Sequence, residues 1–241
     1  MPLRLGYLIV AIGLAVSLSN PASAAEPLSF GILSAPPYGI ERADKTVSGS
    51  NHDIAELIAA KAGLAFSYRL EPLARLISDL KAGKLDLMIM IPGDEMKPFA
   101  VAEIMPTNTV VLPKPGSSLA QYADLKGKTI ATLRGGNYDP RLAVDEDVKR
   151  YEVDSYVLGL RMAKAGRVDG MIGPDFGLYY QVKVEGMKLD EFGSPLVLNT
   201  RTLTLLGSKS ITPELAATIK AAVEELRRGG ALSAAADKYI N

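Results

Sequence analysis

The chain contains no cysteine and only one histidine, His52, in 241 residues. Without a thiol there is no disulfide, no thiolate metal site and no cysteine nucleophile. A single imidazole cannot build a multi-histidine metal centre, and no partner set for a catalytic triad is visible around His52. Charge of one sign is not in excess either: Lys plus Arg and Asp plus Glu both number 27. Among the first 24 residues only Arg4 is charged, so the remainder carries 26 against 27. That balance gives no argument for a nucleic-acid or anionic-membrane partner. Beyond the amino terminus no run reaches the roughly 18 apolar residues that a membrane-spanning helix needs. The remaining composition, 48% hydrophobic and 22% charged, is that of an ordinary globular protein. Neither a metal nor a cofactor is expected.

The amino terminus has its own pattern. Met1 to Arg4 is a short positive start, Leu5 to Leu18 is apolar, and Asn20-Pro21 breaks the run before the small residues Ala22-Ser23-Ala24. Residues 1–25 read as a secretory signal peptide, cleaved after Ala24 or Ala25. No cysteine follows to carry a lipid, so the expectation is an exported, soluble, periplasmic chain without an anchor.

One unit occurs twice. Lys81-Ala82-Gly83-Lys84-Leu85-Asp86-Leu87-Met88-Ile89 returns 83 residues later as Lys164-Ala165-Gly166-Arg167-Val168-Asp169-Gly170-Met171-Ile172, with six of nine positions identical. Each copy reads as a helix end, a glycine able to adopt the left-handed conformation, a tight turn and a short apolar strand. Asp86 and Asp169 precede their strands and read as turn-capping groups rather than as a catalytic pair. Met88 and Met171 read as core. A helix–Gly–Asp–strand unit used twice predicts two α/β lobes of related design, with a ligand cleft at the carboxyl ends of their strands.

The remaining chain fits this plan. Leu28 to Leu33 is a buried strand, followed by the stiff loop Ser34-Ala35-Pro36-Pro37-Tyr38-Gly39. Ser50 or Asn51 is placed to cap a helix running from Asp53 to Ala62. Strand 64–70, helix 73–82 and the first repeat strand complete one lobe. Strand 107–112 leads to the composition shift at Pro113 to Ser118, which marks a crossing between lobes. Strand 128–133, the loop Arg134-Gly135-Gly136-Asn137-Tyr138, helix 141–149, strand 152–156, helix 158–165, the second repeat strand and helix 174–184 make the other lobe. Strand 201–207 returns to the first lobe. Thr212 caps a helix with Pro213 in its first turn, and Leu232 to Tyr239 forms a last helix.

Taken together, Ala35-Pro36-Pro37-Tyr38, Gly49 to Ala55, Leu80 to Asp86, Asp124 to Ile130 and the tail from Pro213 resemble, in order and spacing, the amino-acid-type solute-binding proteins of ABC importers. The resemblance covers nearly all of the chain after residue 25. It implies two Rossmann-like α/β lobes joined by two hinge crossings, the type II periplasmic binding protein-like fold, with lobe one at 26–109 plus 204–241 and lobe two at 110–203. It also implies capture of a small polar or anionic organic solute, delivery to an inner-membrane ABC permease, and a monomer with no nucleic-acid partner. An alternative on the same scaffold is a periplasmic enzyme similar to cyclohexadienyl dehydratases, for which Glu95 and Asp175 are the available carboxyl groups. A ligand-sensing accessory protein is a third.

The resemblance also shows departures. The family's carboxylate-binding Arg falls here, after a one-residue gap, on Lys97, which lacks the planar fork. Its amino-group Asp falls on Pro174, one before Asp175, and its aromatic platform falls on Leu73. Candidate ligand-binding residues are therefore Tyr38, Arg75, Met90, Lys97, Arg134, Gly136, Asn137, Tyr138 and Asp175. Tyr38 either meets the ligand or packs the loop, and Arg75 either meets it or caps local carbonyls. The loop 134–138 either offers backbone N–H groups to an anion or is a plain glycine turn. Lys97 is an ion-pair partner or a solvated charge, and Asp175 a cation contact or a first-turn acid. No residue is assigned a catalytic role.

Overall fold

In the computed structural model residues 26–239 are described, and the signal-peptide expectation for residues 1–25 lies outside them. The first apolar run forms β1 (Leu28–Leu33), buried over its last four residues. A small hairpin, β2 (Ile40–Glu41) with β3 (Val47–Ser48), leads to α1 (Ser50–Ala62). β4 (Phe66–Glu71), α2 (Leu73–Lys81) and β5 (Leu87–Met90) follow, then the 3-10 turn Asp94–Phe99 and the long β6 (Ala100–Pro113). β7 (Thr129–Leu133), α3 (Pro140–Val144), β8 (Lys149–Val153), α4 (Tyr156–Lys164), β9 (Gly170–Pro174) and α5 (Asp175–Val184) repeat the plan. β10 (Leu196–Gly207), α6 (Pro213–Arg228) and α7 (Ala231–Asp237) close the chain.

The strands lie in the order β4–β1–β5–β10–β6–β9–β7–β8. β1 is parallel to β4 and β5, and β7 is parallel to β8 and β9, so each end of the ladder is a small parallel sheet. Helices α1 and α2 pack on the first and α4 and α5 on the second, giving the expected two α/β lobes. β6 and β10 join them as an antiparallel pair. β5 pairs only with Thr204 to Gly207 of β10, and β9 only with Thr109 to Pro113 of β6. Between those limits Pro106, Thr107 and Asn108 face Thr202, Arg201 and Thr200 with no other strand beside them. The chain therefore crosses within these two strands. The segment from Pro113 to Ser118, expected to be the crossing, is instead tied into lobe two: Lys114 N–H bonds to the Asp169 carbonyl and Gly193 N–H to the Pro113 carbonyl.

The repeated unit takes one geometry twice. Gly83 and Gly166 stand at φ 71° and 69°, in the left-handed region that a side chain disfavours. The aspartates do more than cap their turns. Asp86 Oδ2 accepts from Ser29 N at 2.9 Å and Ser29 Oγ at 2.7 Å, and its Oδ1 accepts from Ser210 Oγ at 2.6 Å. Asp169 Oδ2 accepts from Thr129 N at 2.8 Å and its Oδ1 from Lys114 Nζ at 2.8 Å. Each carboxylate thus lashes down the start of its neighbouring parallel strand, β1 or β7, at the end away from the cleft.

The hinge strands run longer than expected, at 100–113 and 196–207, and two further departures have a local cause. The cap of α1 is Gly49, at φ 121°, not Ser50 or Asn51. Ser50 and Asn51 N–H groups bond to the Pro37 and Tyr38 carbonyls, so the loop after β1 satisfies the helix's first donors and no side-chain cap is needed. The helix expected over 141–149 stops at Val144. Asp139 caps it by accepting from Arg141 N, and Lys149–Val153 is drawn out as an edge strand beside β7.

Candidate functional site

Two loops at strand carboxyl ends face each other across the lobes: Ser34 to Gly39 after β1, and Arg134 to Asp139 after β7. Between them is a cavity of about 30 Å³, room for one or two water molecules. Lobe one lines it with Leu33, Tyr38, Asn51, Leu73, Ile89, Met90 and Ile91; lobe two adds Gly136, Asn137, Tyr138, Tyr156 and Pro174; Leu203 of β10 completes it.

The walls are apolar apart from three phenols and two amides. Tyr38, Tyr138 and Tyr156 are buried. Tyr138 and Tyr156 hydroxyls bond to each other at 2.9 Å. Burial pushes all three phenols above their ordinary range, so they stay neutral at physiological pH. Asn51 is 1% exposed. Its Nδ2 is directed at the Ile89 carbonyl, at 3.5 Å, and its Oδ1 has no hydrogen-bond partner.

The lobes touch around this cavity. The rings of Tyr38 and Phe176 meet edge-on at 5.5 Å, and Gln181 Nε2 donates to the Pro36 carbonyl at 2.5 Å. Arg201, on the hinge strand β10, donates to the Pro92 carbonyl at 2.6 Å and the Tyr138 carbonyl at 3.3 Å, one from each lobe. Thr109 Oγ1 and Asn199 Nδ2 also donate to the Tyr138 carbonyl, at 3.2 and 3.4 Å, so both hinge strands hold the loop that carries Tyr138.

Of the nine residues proposed from sequence, Tyr38, Met90, Gly136, Asn137 and Tyr138 come together in the cavity wall. The four charged ones do not. Arg75 pairs with Asp79 one turn on, at 3.2 Å, with its side chain 63% exposed. Lys97 pairs with Asp94 at 2.7 Å on the exposed 3-10 turn, outside the cavity wall. Arg134 is divided between Glu152 at 2.7 Å and Asp154 at 3.0 Å, in an adjoining recess of about 120 Å³ between the lobes that shares Leu33 and Leu73 with the cavity. In each case a nearer carboxylate takes the cation. Asp175 faces a separate recess of about 370 Å³ at the hinge, accepting from Asn108 Nδ2 at 3.0 Å and Thr107 Oγ1 at 3.3 Å. Glu95 pairs with Lys81 at 3.1 Å and is 69% exposed, also outside the cavity.

In the loop 134–138, Arg134 N–H bonds to the Val153 carbonyl and Gly136 N–H to the Leu133 carbonyl, so those two donors are not offered to an anion. Sequence reasoning missed Asn51, Tyr156 and Arg201. For Arg201 the signal was strand alternation, which puts it on the same face as Leu203. Asn51 and Tyr156 each stand in the first turn of a helix that follows a strand's carboxyl-end loop or a capping serine.

Residues 28–241 match the family model described as bacterial extracellular solute-binding proteins, family 3. The chain is 26% identical over 207 residues to the probable amino-acid-binding protein YxeM of Bacillus subtilis (strain 168), covering 81% of this chain and 76% of that one. It is 27% identical over 170 residues to the ABC transporter arginine-binding protein 1 of Escherichia coli (strain K12), covering 68% and 70%. The structure of an ancestral arginine-binding protein bound to arginine superposes with a TM-score of 0.74 at 23% identity, covering 90% of this chain and 100% of that one, a likeness of fold.

Proposed function

We propose, from the premise that this chain belongs to the bacterial extracellular solute-binding proteins of family 3, that it captures a small polar organic solute between its lobes and presents it to the permease of an ABC importer. The observation that carries this reading is the buried cavity walled by both lobes at their strand carboxyl ends. Lobe one is residues 26–109 with 204–241, and lobe two is 110–203, swinging about the paired strands at 106–108 and 200–202. The protein works in the periplasm as a monomer after loss of residues 1–25. We read it as a binder rather than an enzyme, because its relatives are binding proteins and no carboxyl group lines the cavity.

A saturating solute, at about 100 times its Kd, should stabilise the protein by about 2.7 kcal/mol, or about 5–10 °C in Tm for a chain of this size. The same solute should compact it in solution X-ray scattering. A broad panel of small organic solutes that produced neither effect would sink the reading.

Arg201 supports the closed state, because opening the lobes must break its bond to one of two carbonyls. Arg201→Met should weaken solute binding about 10-fold, the scale of one hydrogen bond from a charged donor, with little change in the Tm of the protein without solute. Calorimetric titration and thermal unfolding check the two parts. Unaltered affinity would show that the clasp does not contribute to closure.

A further inference from the structure

The wall chemistry narrows the solute beyond the proposed function, and the inference rests on that reading. Among the residues lining the cavity there is no carboxylate, ammonium or guanidinium. Arg201 lies at its edge with its guanidinium turned onto the Pro92 and Tyr138 carbonyls. The phenols of Tyr38, Tyr138 and Tyr156 are neutral, and the rest of the wall is mainly aliphatic. A zwitterion closed into such a site would leave both its ammonium and its carboxylate buried without a counter-charge, which costs several kcal/mol per ion.

The polar atoms that remain unmatched are specific. Asn51 Oδ1 is a buried acceptor with no partner, in the first turn of the 13-residue helix α1 and on the cavity wall. Nδ2 is turned towards the Ile89 carbonyl, at 3.5 Å, which leaves Oδ1 as the unpaired end of the amide. Tyr38 adds a neutral phenol to the same wall. One hydrogen of the Tyr138–Tyr156 pair is unspent, since only one is needed between them. An acceptor and neutral donors set in an apolar wall complement a neutral amide or alcohol.

We propose that the solute is an uncharged organic molecule bearing an amide or hydroxyl group on an apolar body, with its N–H or O–H donated to Asn51 Oδ1. The assignment makes Asn51 the specificity-determining residue of the cleft.

The test is calorimetric titration of the purified protein with benzamide, its donor-less isostere acetophenone, benzoate and L-phenylalanine. Benzamide is expected to bind at least about 10-fold more tightly than the other three, since a buried acceptor left unpaired costs about that factor or more. In Asn51→Leu, benzamide should lose its advantage over acetophenone. The comparison of benzamide with acetophenone in the unaltered protein stands even if that variant fails to fold. Binding of L-phenylalanine or benzoate as tight as benzamide, or of acetophenone equal to benzamide, would overturn the assignment and leave the binding-protein reading intact. Thermal stabilisation by other solutes with no response to benzamide would also overturn it alone. No stabilisation by any solute would overturn both.

Discussion

Gly177→Ala is expected to weaken solute binding about 10-fold while leaving the protein without solute at least as stable as the parent. Gly177 lies in α5 of lobe two, against the ring of Tyr38 from lobe one. A Cβ there would stand 2.9 Å from both Cε2 and Oη of Tyr38, closer than carbon atoms tolerate. The ring has little room to retreat: it is 4% exposed and packed edge-on against Phe176. The cheapest relief is to move α5 away from the loop after β1, which parts the lobes. Within lobe two the same change removes a glycine from the first turn of α5, worth up to about 1 kcal/mol in favour of the helix. The two effects have opposite signs and are read separately, affinity by calorimetric titration and stability by thermal unfolding. A Tm several degrees below the parent would mean that the contact holds one folded unit together rather than gating two.

The second large effect concerns the twin aspartates. Asp86→Ala and Asp169→Ala should each cost about 2–3 kcal/mol, because the strand-starting N–H of Ser29 or Thr129 loses its acceptor along with a side-chain bond. That corresponds to about 5–10 °C in Tm. Both carboxyls are held below their ordinary range. Burial alone would raise them, but hydrogen bonds from Ser210 and Ser29 on Asp86, and from Lys114 and Thr129 on Asp169, outweigh it. Such a group binds its proton less readily in the folded chain than in the unfolded one. Its contribution is therefore complete above the unfolded pKa of about 3.9 and is lost as pH falls through the lower folded value. Stability measured by denaturant titration should decline below about pH 4, and less steeply in the Asp86→Asn, Asp169→Asn double variant. An unchanged Tm in both alanine variants would show that the lashes contribute nothing.

Much of this architecture was legible because local and global signals agree. The Lys-Ala-Gly-x-x-Asp unit carries its own helix stop, left-handed glycine and strand, so both copies could be placed without knowledge of the rest. Leu28–Leu33 and the Thr212-Pro213 helix start are equally local. The hinge was not local. The segment from Pro113 to Ser118 has the composition of a linker, whereas the true crossing is a pair of ordinary-looking strands that become a bridge only by losing their outer neighbours.

The cleft divides along the same line. Tyr38, Gly136, Asn137 and Tyr138 sit on loops whose position follows from the strands before them. Arg75, Lys97 and Arg134 were candidates by their place along the chain, and in the fold a carboxylate beside each takes the cation. The pairings of Arg75 with Asp79 and of Lys97 with Asp94 follow helical spacing and could be read in advance. The pairing of Arg134 with Glu152 could not, since it depends on β7 lying beside β8. Asn51 was taken for a helix cap. It became a cavity residue because backbone carbonyls of the preceding loop had already satisfied the helix.

The absence of cysteine makes the central claim directly measurable. Ser78→Cys on α2 and Asp154→Cys beyond β8 place two labels at exposed positions on opposite lobes, with no native thiol to compete. Spin-label distance measurement between them, with and without a solute that raises the Tm, tests whether binding is lobe closure. The account predicts a broad distance distribution that collapses to one shorter population at saturation. A distribution unchanged by a solute that stabilises the protein would contradict it.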